Sequence, residues 1–157
     1  MELNEAKLNE LLGKVVTEMG AAANGPLILL GDKLGLFKSL AALGPMNSTE
    51  LADETNTAER YVREWLSAQA ASGYVSYDAT TNSFSMTPEQ AAVFGDEESP
   101  VFMTGAFYAI TSVYNDAPKM EKAFKSGEGV AWGDHSTCLF CGTEKFFSPS
   151  YENNLVN

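Results

Sequence analysis

The stretch TAERYVREWL, residues 57–66, has the pattern of the second helix of a helix-turn-helix. Thr57 is placed to cap this helix, and Val62 and Trp65 recur at the spacing of one buried face. In many proteins the corresponding helix lies in the major groove of DNA. The rest of the sequence must decide whether this helix reads DNA or belongs to a fold with another purpose.

The residues before this stretch supply the first part of the motif. An apolar stripe predicts a helix over about 27–42, and Gly44 and Pro45 end it. In the segment MNSTELADET that follows, Asn47 can cap a short helix and Glu50 can complete a capping box. Two helices and a turn therefore precede the quoted helix.

The residues after it supply the wing. Gly73 ends the helix, and the stretches YVSYD and SFSM are rich in aromatic and β-branched residues, which predicts two short strands. The polar residues 79–82 join them as a turn. We therefore predict a mainly α fold, a winged helix-turn-helix with a small β-hairpin wing and flanking helices.

The flanking segments divide the chain into three parts. Residues 1–24 hold an amphipathic helix that must cover its own domain or a second subunit, and we expect it to stop at Asn24-Gly25-Pro26. Residues 25–88 hold the winged helix. In residues 89–157 we expect a short helix, a long apolar helix and a third helix that ends in glycines. The last residues, from Val130, show no period and resemble a connector to a missing element.

Composition and charge limit the function classes. The chain has 157 residues, of which 45% are hydrophobic, so it can bury a core. We predict neither a signal peptide nor a membrane-spanning segment, and we expect a soluble, cytoplasmic protein with reduced cysteines. The formal net charge of −11 does not favour binding to a polyanion.

The charge of the winged helix itself points the same way. From Pro26 to Pro88 there are four basic and seven acidic residues. On the helix quoted above, two carboxylates offset Arg60 and Arg63, which are the candidate DNA-binding residues, and the wing tip has neither lysine nor arginine. The sequence therefore favours a structural winged helix, and we do not expect nucleic acid as a partner.

His135, Cys138 and Cys141 form the spacing H-x-x-C-x-x-C. Imidazole and thiolate groups suit zinc, but a structural site needs four ligands and usually two separated pairs, so we predict no metal site. The alternative is a pair of small buried thiols. His135 is the only histidine, and no serine or aspartate at a convincing spacing completes a catalytic triad with it. We predict no catalytic residue in this chain.

The apolar helix near residue 107 has two interpretations. Its aromatic and methionine side chains recur at helical spacing, which is typical of a core or a dimer interface. Alternatively they form the wall of a pocket for a flat or apolar small molecule, with Trp132 and His135 nearby. The side chains concerned are Phe102, Met103, Phe107, Tyr108 and Tyr114.

From about Gly25 to its last residue, the sequence resembles the N-terminal region of a family of bacterial S-adenosylmethionine (SAM)-dependent methyltransferases. The segments ERYVREWL and GTEKFF are the most specific to that family. The full set of similar segments is LGLFKSLA (34–41), STELADET (48–55), ERYVREWL (59–66), GYVSYD (73–78), SPVFMTGAF (99–107) and GTEKFFSPSYENNLV (142–156).

The resemblance implies that the winged helix pairs subunits and covers the active site of a following Rossmann-like domain, which binds SAM through a glycine-rich loop. That domain is absent here, and Asn157 lies about where it would begin. We therefore expect a fragment: this chain has neither cofactor nor methyltransferase activity of its own, whereas the full-length protein uses SAM. We expect a homodimer, a small-molecule methyl acceptor and no membrane.

In the whole protein, five residues are candidates to line the pocket of the methyl acceptor. They are Phe102, Phe107, Tyr108, Trp132 and His135. Two other functions remain open. One is a winged-helix transcriptional regulator that binds DNA and senses a small ligand through the aromatic helix. The other is an interaction module without a ligand, which is held as a dimer by its N-terminal and aromatic helices.

Overall fold

The computed structural model of the chain describes residues 3–155, apart from the side chain of Asn153. This part contains eight α-helices, one two-stranded sheet and a short 3-10 turn at Trp132–Asp134. The helices and strands, in chain order, are α1 (Glu5–Lys33), α2 (Leu36–Leu43), α3 (Ser48–Glu54), α4 (Glu59–Ala71), β1 (Ser76–Asp78), β2 (Ser83–Ser85), α5 (Pro88–Phe94), α6 (Thr104–Asn115), α7 (Ala117–Ser126) and α8 (Thr137–Leu155).

The expected break at Asn24-Gly25-Pro26 is wrong, because α1 continues through Pro26. A proline inside a helix lacks one hydrogen-bond donor and strains the preceding turn. Contacts with α4 hold the helix together here: Gln69 Nε2 donates to Asn24 Oδ1 at 2.9 Å, and Trp65 Nε1 donates to the Leu27 carbonyl at 2.8 Å. Neither contact could be deduced from local sequence.

The winged helix-turn-helix prediction is confirmed. Helices α2 and α4 pack against α1, α3 packs against α4 and α2, and β1 pairs antiparallel with β2, with Tyr77 opposite Phe84. At the centre, the Phe37 ring lies 4.8 Å from the Trp65 ring in an edge-to-face contact. Gly31 permits this approach, because a β-carbon there would lie 2.5 Å from the Trp65 ring.

The predicted caps were right for α3 and wrong for α4. Asn47 caps α3, and Glu50 completes the capping box by accepting from the Asn47 backbone N–H at 2.8 Å. Helix α4 begins at Glu59 after Ala58 and has no side-chain cap. Thr57 instead shares a hydrogen bond with another hydroxyl in the turn. Helix α4 nevertheless remains the second helix of the helix-turn-helix.

The last segment, expected to be aperiodic, forms α8 and packs along α6. Glycines make the close contact possible: a β-carbon on Gly105 would lie 2.4 Å from the Phe146 nitrogen, and one on Gly142 would lie 2.4 Å from the Ala109 nitrogen. Two helices with glycine at the crossing point can approach more closely than apolar side chains allow. The contact between α6 and α8 is therefore made by small residues, and a periodic pattern of apolar residues does not mark it in the sequence.

Residues 3–23 are exposed throughout, so the first half of α1 does not cover its own domain. Its large apolar side chains are all open to solvent, as is Leu3 just before the helix: Leu8, Leu11, Leu12, Val15, Val16 and Met19. An apolar stripe of this size on a free helix is typical of an interaction surface. Within the described residues, none of the helices combines the length and the hydropathy needed to cross a bilayer.

Candidate functional site

A buried carboxylate, Asp32, connects three helices. Its side chain is only 7% exposed. Lys145 on α8 donates to both of its oxygens at 2.9 and 2.8 Å, and the Tyr108 hydroxyl on α6 donates to Oδ2 at 2.8 Å. Lys145 also reaches Glu97 Oε1 at 3.2 Å. Asp32 sits near the end of α1, so this network ties the winged helix to the α6–α8 pair.

The network shifts the pKa values of Tyr108 and Lys145. Burial, together with the hydrogen bond to Asp32, raises the pKa of the Tyr108 hydroxyl. Burial alone would lower the pKa of Lys145, but the hydrogen bonds and charges of Asp32 and Glu97 outweigh it and raise that pKa. Tyr108 therefore stays a hydrogen-bond donor and Lys145 stays a cation, and both roles stabilise the Asp32 carboxylate.

Phe102 belongs to this part of the molecule. It is buried, and its ring lies 5.3 Å from Lys145 Nζ, which is also 5.8 Å from the Tyr108 ring. Beside it opens a cavity of about 320 Å³ whose rim carries Glu144 and Glu152 from α8. Two of the five candidate residues, Phe102 and Tyr108, are thus brought together by one lysine.

Phe107 faces a different space. A groove of about 450 Å³ runs between the middle of α1 and α6. It is almost wholly apolar and is lined by Ala21, Ala22, Gly25, Pro26, Phe107, Ile110, Thr111 and Tyr114. The groove lies next to the exposed apolar half of α1.

Trp132 and His135 form a third location, at the start of α8. Their rings are 6.1 Å apart, and Trp132 is 63% exposed. His135 Nδ1 lies 2.9 Å from Oδ2 of Asp116, a carboxylate at the α6–α7 junction that is 2% exposed. The Ser136 backbone N–H and then Lys119 lower the pKa of Asp116 to about 2. Asp116 is therefore ionised at neutral pH.

The two cysteines are not a buried pair. Cys138 is half-buried and Cys141 is exposed, and both are free thiols. Across the part of the chain that the structure describes, no group of three or more His, Cys, Asp or Glu side chains is placed to hold a metal ion. His135 is engaged with Asp116 instead.

The two candidate DNA-binding arginines are each paired with a carboxylate one turn away on α4. Arg60 bonds Glu64, and Arg63 Nε lies 3.5 Å from Glu59 Oε1. The Ser48 hydroxyl donates to the same Glu59 oxygen at 2.7 Å. This surface thus presents neutralised pairs in place of free cations, which is unfavourable for contacts with phosphates or base edges.

The residues that organise these locations were not predicted from the sequence. Asp32, Asp116 and Lys145 are single charged residues, and the contacts Asp116–His135 and Asp32–Lys145 join positions that are 19 and 113 residues apart. The one local signal is their position on mostly apolar stretches, where a charge needs a partner. Whether Phe102, Phe107, Tyr108, Trp132 and His135 bind a substrate remains a prediction.

The winged helix can now be compared with known proteins. A family model described as the Rv2258c-like winged HTH domain matches residues 22–95. The match covers 74 of the 157 residues, and this segment has the winged helix-turn-helix fold described above. The matched segment begins in α1 and ends just after α5, so it includes the helix-turn-helix and the wing. No curated protein sequence gives a significant match to the chain.

Solved structures share the fold over nearly the whole chain. The mitomycin 7-O-methyltransferase MmcR is 18% identical with a TM-score of 0.70, over 96% of this chain and 47% of that one. An O-methyltransferase family protein from Burkholderia thailandensis is 12% identical with a TM-score of 0.65, over 98% and 44%. CalO1, a methyltransferase in calicheamicin biosynthesis solved with S-adenosylhomocysteine (SAH), is 20% identical with a TM-score of 0.61, over 96% and 44%. The chain thus spans less than half of these proteins.

Proposed function

We propose that the chain is the N-terminal dimerisation and substrate-capping part of a SAM-dependent methyltransferase that acts on a small-molecule acceptor. The proposal rests on the likeness in fold to MmcR. This likeness covers 96% of this chain but 47% of that protein. The remaining part of such a protein would bind SAM, as the SAH in CalO1 suggests. No group for methyl transfer is assigned to this chain.

Dimerisation is supported by the exposed apolar half of α1. Two copies of this surface can cover each other, and an interface in which the same patch meets itself is the commonest arrangement in homodimers. The groove between α1 and α6 lies next to this surface and offers further apolar area. We propose the division into an arm at 1–24, a winged helix at 25–88 and a capping region at 89–157.

The transcriptional regulator is the other candidate, because a winged helix is a DNA-binding fold in many proteins. The paired arginines of α4 and the lack of lysine and arginine at the tip of the wing argue against it. We therefore keep the methyltransferase module as the conclusion and test the regulator by direct binding to DNA.

The first experiment is to sequence the DNA after the codon for Asn157 and express the complete reading frame. We expect a strand followed by a glycine-rich loop, and binding of SAM by the longer product in isothermal titration calorimetry. Residues 1–157, titrated in parallel, serve as the control and should give no heat of binding. A stop codon after Asn157, or a longer product that does not bind SAM, would contradict the proposal.

A further inference from the structure

Asp116 is held in one orientation by three hydrogen bonds. The Ser136 backbone N–H donates to Oδ2 at 2.9 Å, and Lys119 Nζ donates to Oδ1 at 2.9 Å. The third contact, at 2.9 Å, joins Oδ2 to His135 Nδ1. Because the carboxylate is almost fully buried and bound on both oxygens, it cannot turn away from the imidazole ring.

This arrangement determines where the imidazole proton lies. An ionised carboxylate is only an acceptor, so Nδ1 of His135 must carry the proton and donate it. In the neutral ring, Nε2 then has a free lone pair. Among the described residues Nε2 has no hydrogen-bond partner, and it does not belong to the buried unpartnered atoms. It is therefore an acceptor open to solvent.

Next to this acceptor stands an exposed aromatic surface. Trp132 is 63% exposed, and its ring is kept in place by edge contacts with His135 and with Phe140 at 5.3 Å. An exposed indole offers a flat face on which an aromatic ring can stack. A fixed acceptor beside a flat apolar face fits a ring that carries a hydroxyl group.

We infer that Trp132 and His135 bind a hydroxylated aromatic compound, whose ring stacks on the indole and whose hydroxyl donates to Nε2. Asp116 is a positioning residue that holds His135 in the Nδ1–H tautomer. If the chain belongs to a methyltransferase, as proposed above, this site binds the hydroxylated substrate more tightly than the methylated product. A phenol can donate to Nε2, whereas its methyl ether has lost the proton and cannot.

The tautomer is tested first, by nitrogen NMR on the ¹⁵N-labelled chain at about pH 8, where imidazoles are neutral. His135 is the only histidine, so its two ring nitrogens give unambiguous signals. We expect the Nδ1 signal to be protonated and the Nε2 signal to be unprotonated. A predominant Nε2–H tautomer would overturn the inference, because no acceptor would then face the ligand.

The ligand is tested with two probes of nearly the same shape, 2-naphthol and 2-methoxynaphthalene, which are titrated while the ring signals of His135 are followed. We expect 2-naphthol to bind about 3- to 10-fold more tightly, which corresponds to one net hydrogen bond. Only 2-naphthol should shift the Nε2 signal strongly. Equal affinities, or no shift at His135 with either probe, would overturn the site.

Two variants separate positioning from stacking. Asp116→Asn should lower the Nδ1–H population and reduce the preference for 2-naphthol to less than about 2-fold. Trp132→Leu, a change at an exposed side chain, should weaken both probes about equally and leave the tautomer unchanged. A hydroxyl preference that survives Asp116→Asn would remove Asp116 from the mechanism. These results do not depend on SAM binding by the longer product, so each proposal can fail without the other.

Discussion

Gly105 and Gly142 lie face to face where α6 crosses α8: a β-carbon added to either would come within 2.9 Å of the carbonyl oxygen of the other. Each added β-carbon would also lie 2.4 Å from a backbone nitrogen on the opposite helix. Backbone atoms cannot move aside as the end of a long side chain can. The helices can therefore cross at this distance only because both positions carry a hydrogen atom where other residues carry a β-carbon.

We expect Gly105→Ala and Gly142→Ala each to lower the free energy of unfolding by about 1–3 kcal/mol, because the new methyl group forces the helices apart. Urea denaturation followed by circular dichroism measures this. Gly20→Ala on the exposed half of α1 is the control, since its β-carbon meets nothing within 4 Å. The control should gain up to about 1 kcal/mol from helix propensity. Equal behaviour of all three variants would contradict the described crossing.

Lys145 and Lys38 both contact Glu97, but only Lys145 also neutralises the buried Asp32. We expect Lys145→Met to destabilise the fold by about 1–3 kcal/mol, because Asp32 is left with the Tyr108 hydroxyl alone. Lys38→Met removes an exposed pair and should cost less than about 0.5 kcal/mol. Thermal unfolding of both variants at the same pH makes the comparison. Similar losses would show that Asp32 does not need Lys145.

The contribution of Asp116 should depend on pH in the acid range. Its pKa is lowered from 3.8 to about 2 in the folded chain, so its stabilising contribution is complete above about pH 4 and is lost as the pH falls towards 2. Asp116→Asn cannot titrate. The difference in unfolding free energy between wild type and this variant should therefore shrink between pH 4 and pH 2, measured by urea titration. A difference that stays constant over this range would contradict the lowered pKa.

Binding to DNA should be absent. In fluorescence anisotropy at low salt with a random-sequence duplex, we expect no signal change for the wild-type chain or for the Arg60→Ala, Arg63→Ala double variant. Glu59→Gln with Glu64→Gln is the matched control, since it releases both arginines from their carboxylates. Salt-sensitive binding by the wild type that disappears in the arginine variant would support the regulator.

The exposed face of α1 should control the oligomeric state. We expect Leu12→Glu with Met19→Glu to weaken self-association by at least about 30-fold, because two apolar contacts are replaced by buried charges. Thr17→Glu adds a single carboxylate away from the apolar stripe and should have little effect. Size-exclusion chromatography with light scattering gives the mass. A wild-type chain that stays monomeric at high concentration would contradict dimerisation.

The winged helix could be predicted because its signals are local. The cap at Asn47 and the turn at Gly73 each act within a few residues, and the apolar spacing of α4 repeats within one helix. The continuity of α1 at Pro26 could not be predicted, because it depends on Gln69 and Trp65, some 40 residues away. Helix α8 was missed because its closest contact with α6 is made at Gly142, which adds nothing to an apolar period.

In the candidate site, too, some residues could be predicted from the sequence and others depend on distant contacts. Trp132 and His135 could be singled out as candidate pocket residues, an aromatic and a titratable side chain, and the structure places them side by side. Asp116, which orients the histidine, could not be assigned, because the distance of 19 residues between them carries no spacing rule. A partner of this kind becomes visible only once the folded chain brings Asp116 Oδ2 to 2.9 Å from His135 Nδ1.

The unbroken α1 has a mechanical consequence. Its 29 residues form one rod of about 43 Å, and its second half is built into the core of the winged helix. No flexible tether separates the exposed half from that core. A tilt of about 10° imposed on the free half would move its tip by about 5 Å relative to the domain, given a rise of about 1.5 Å per residue. A partner that binds residues 5–23 therefore also sets the orientation of the whole winged-helix domain.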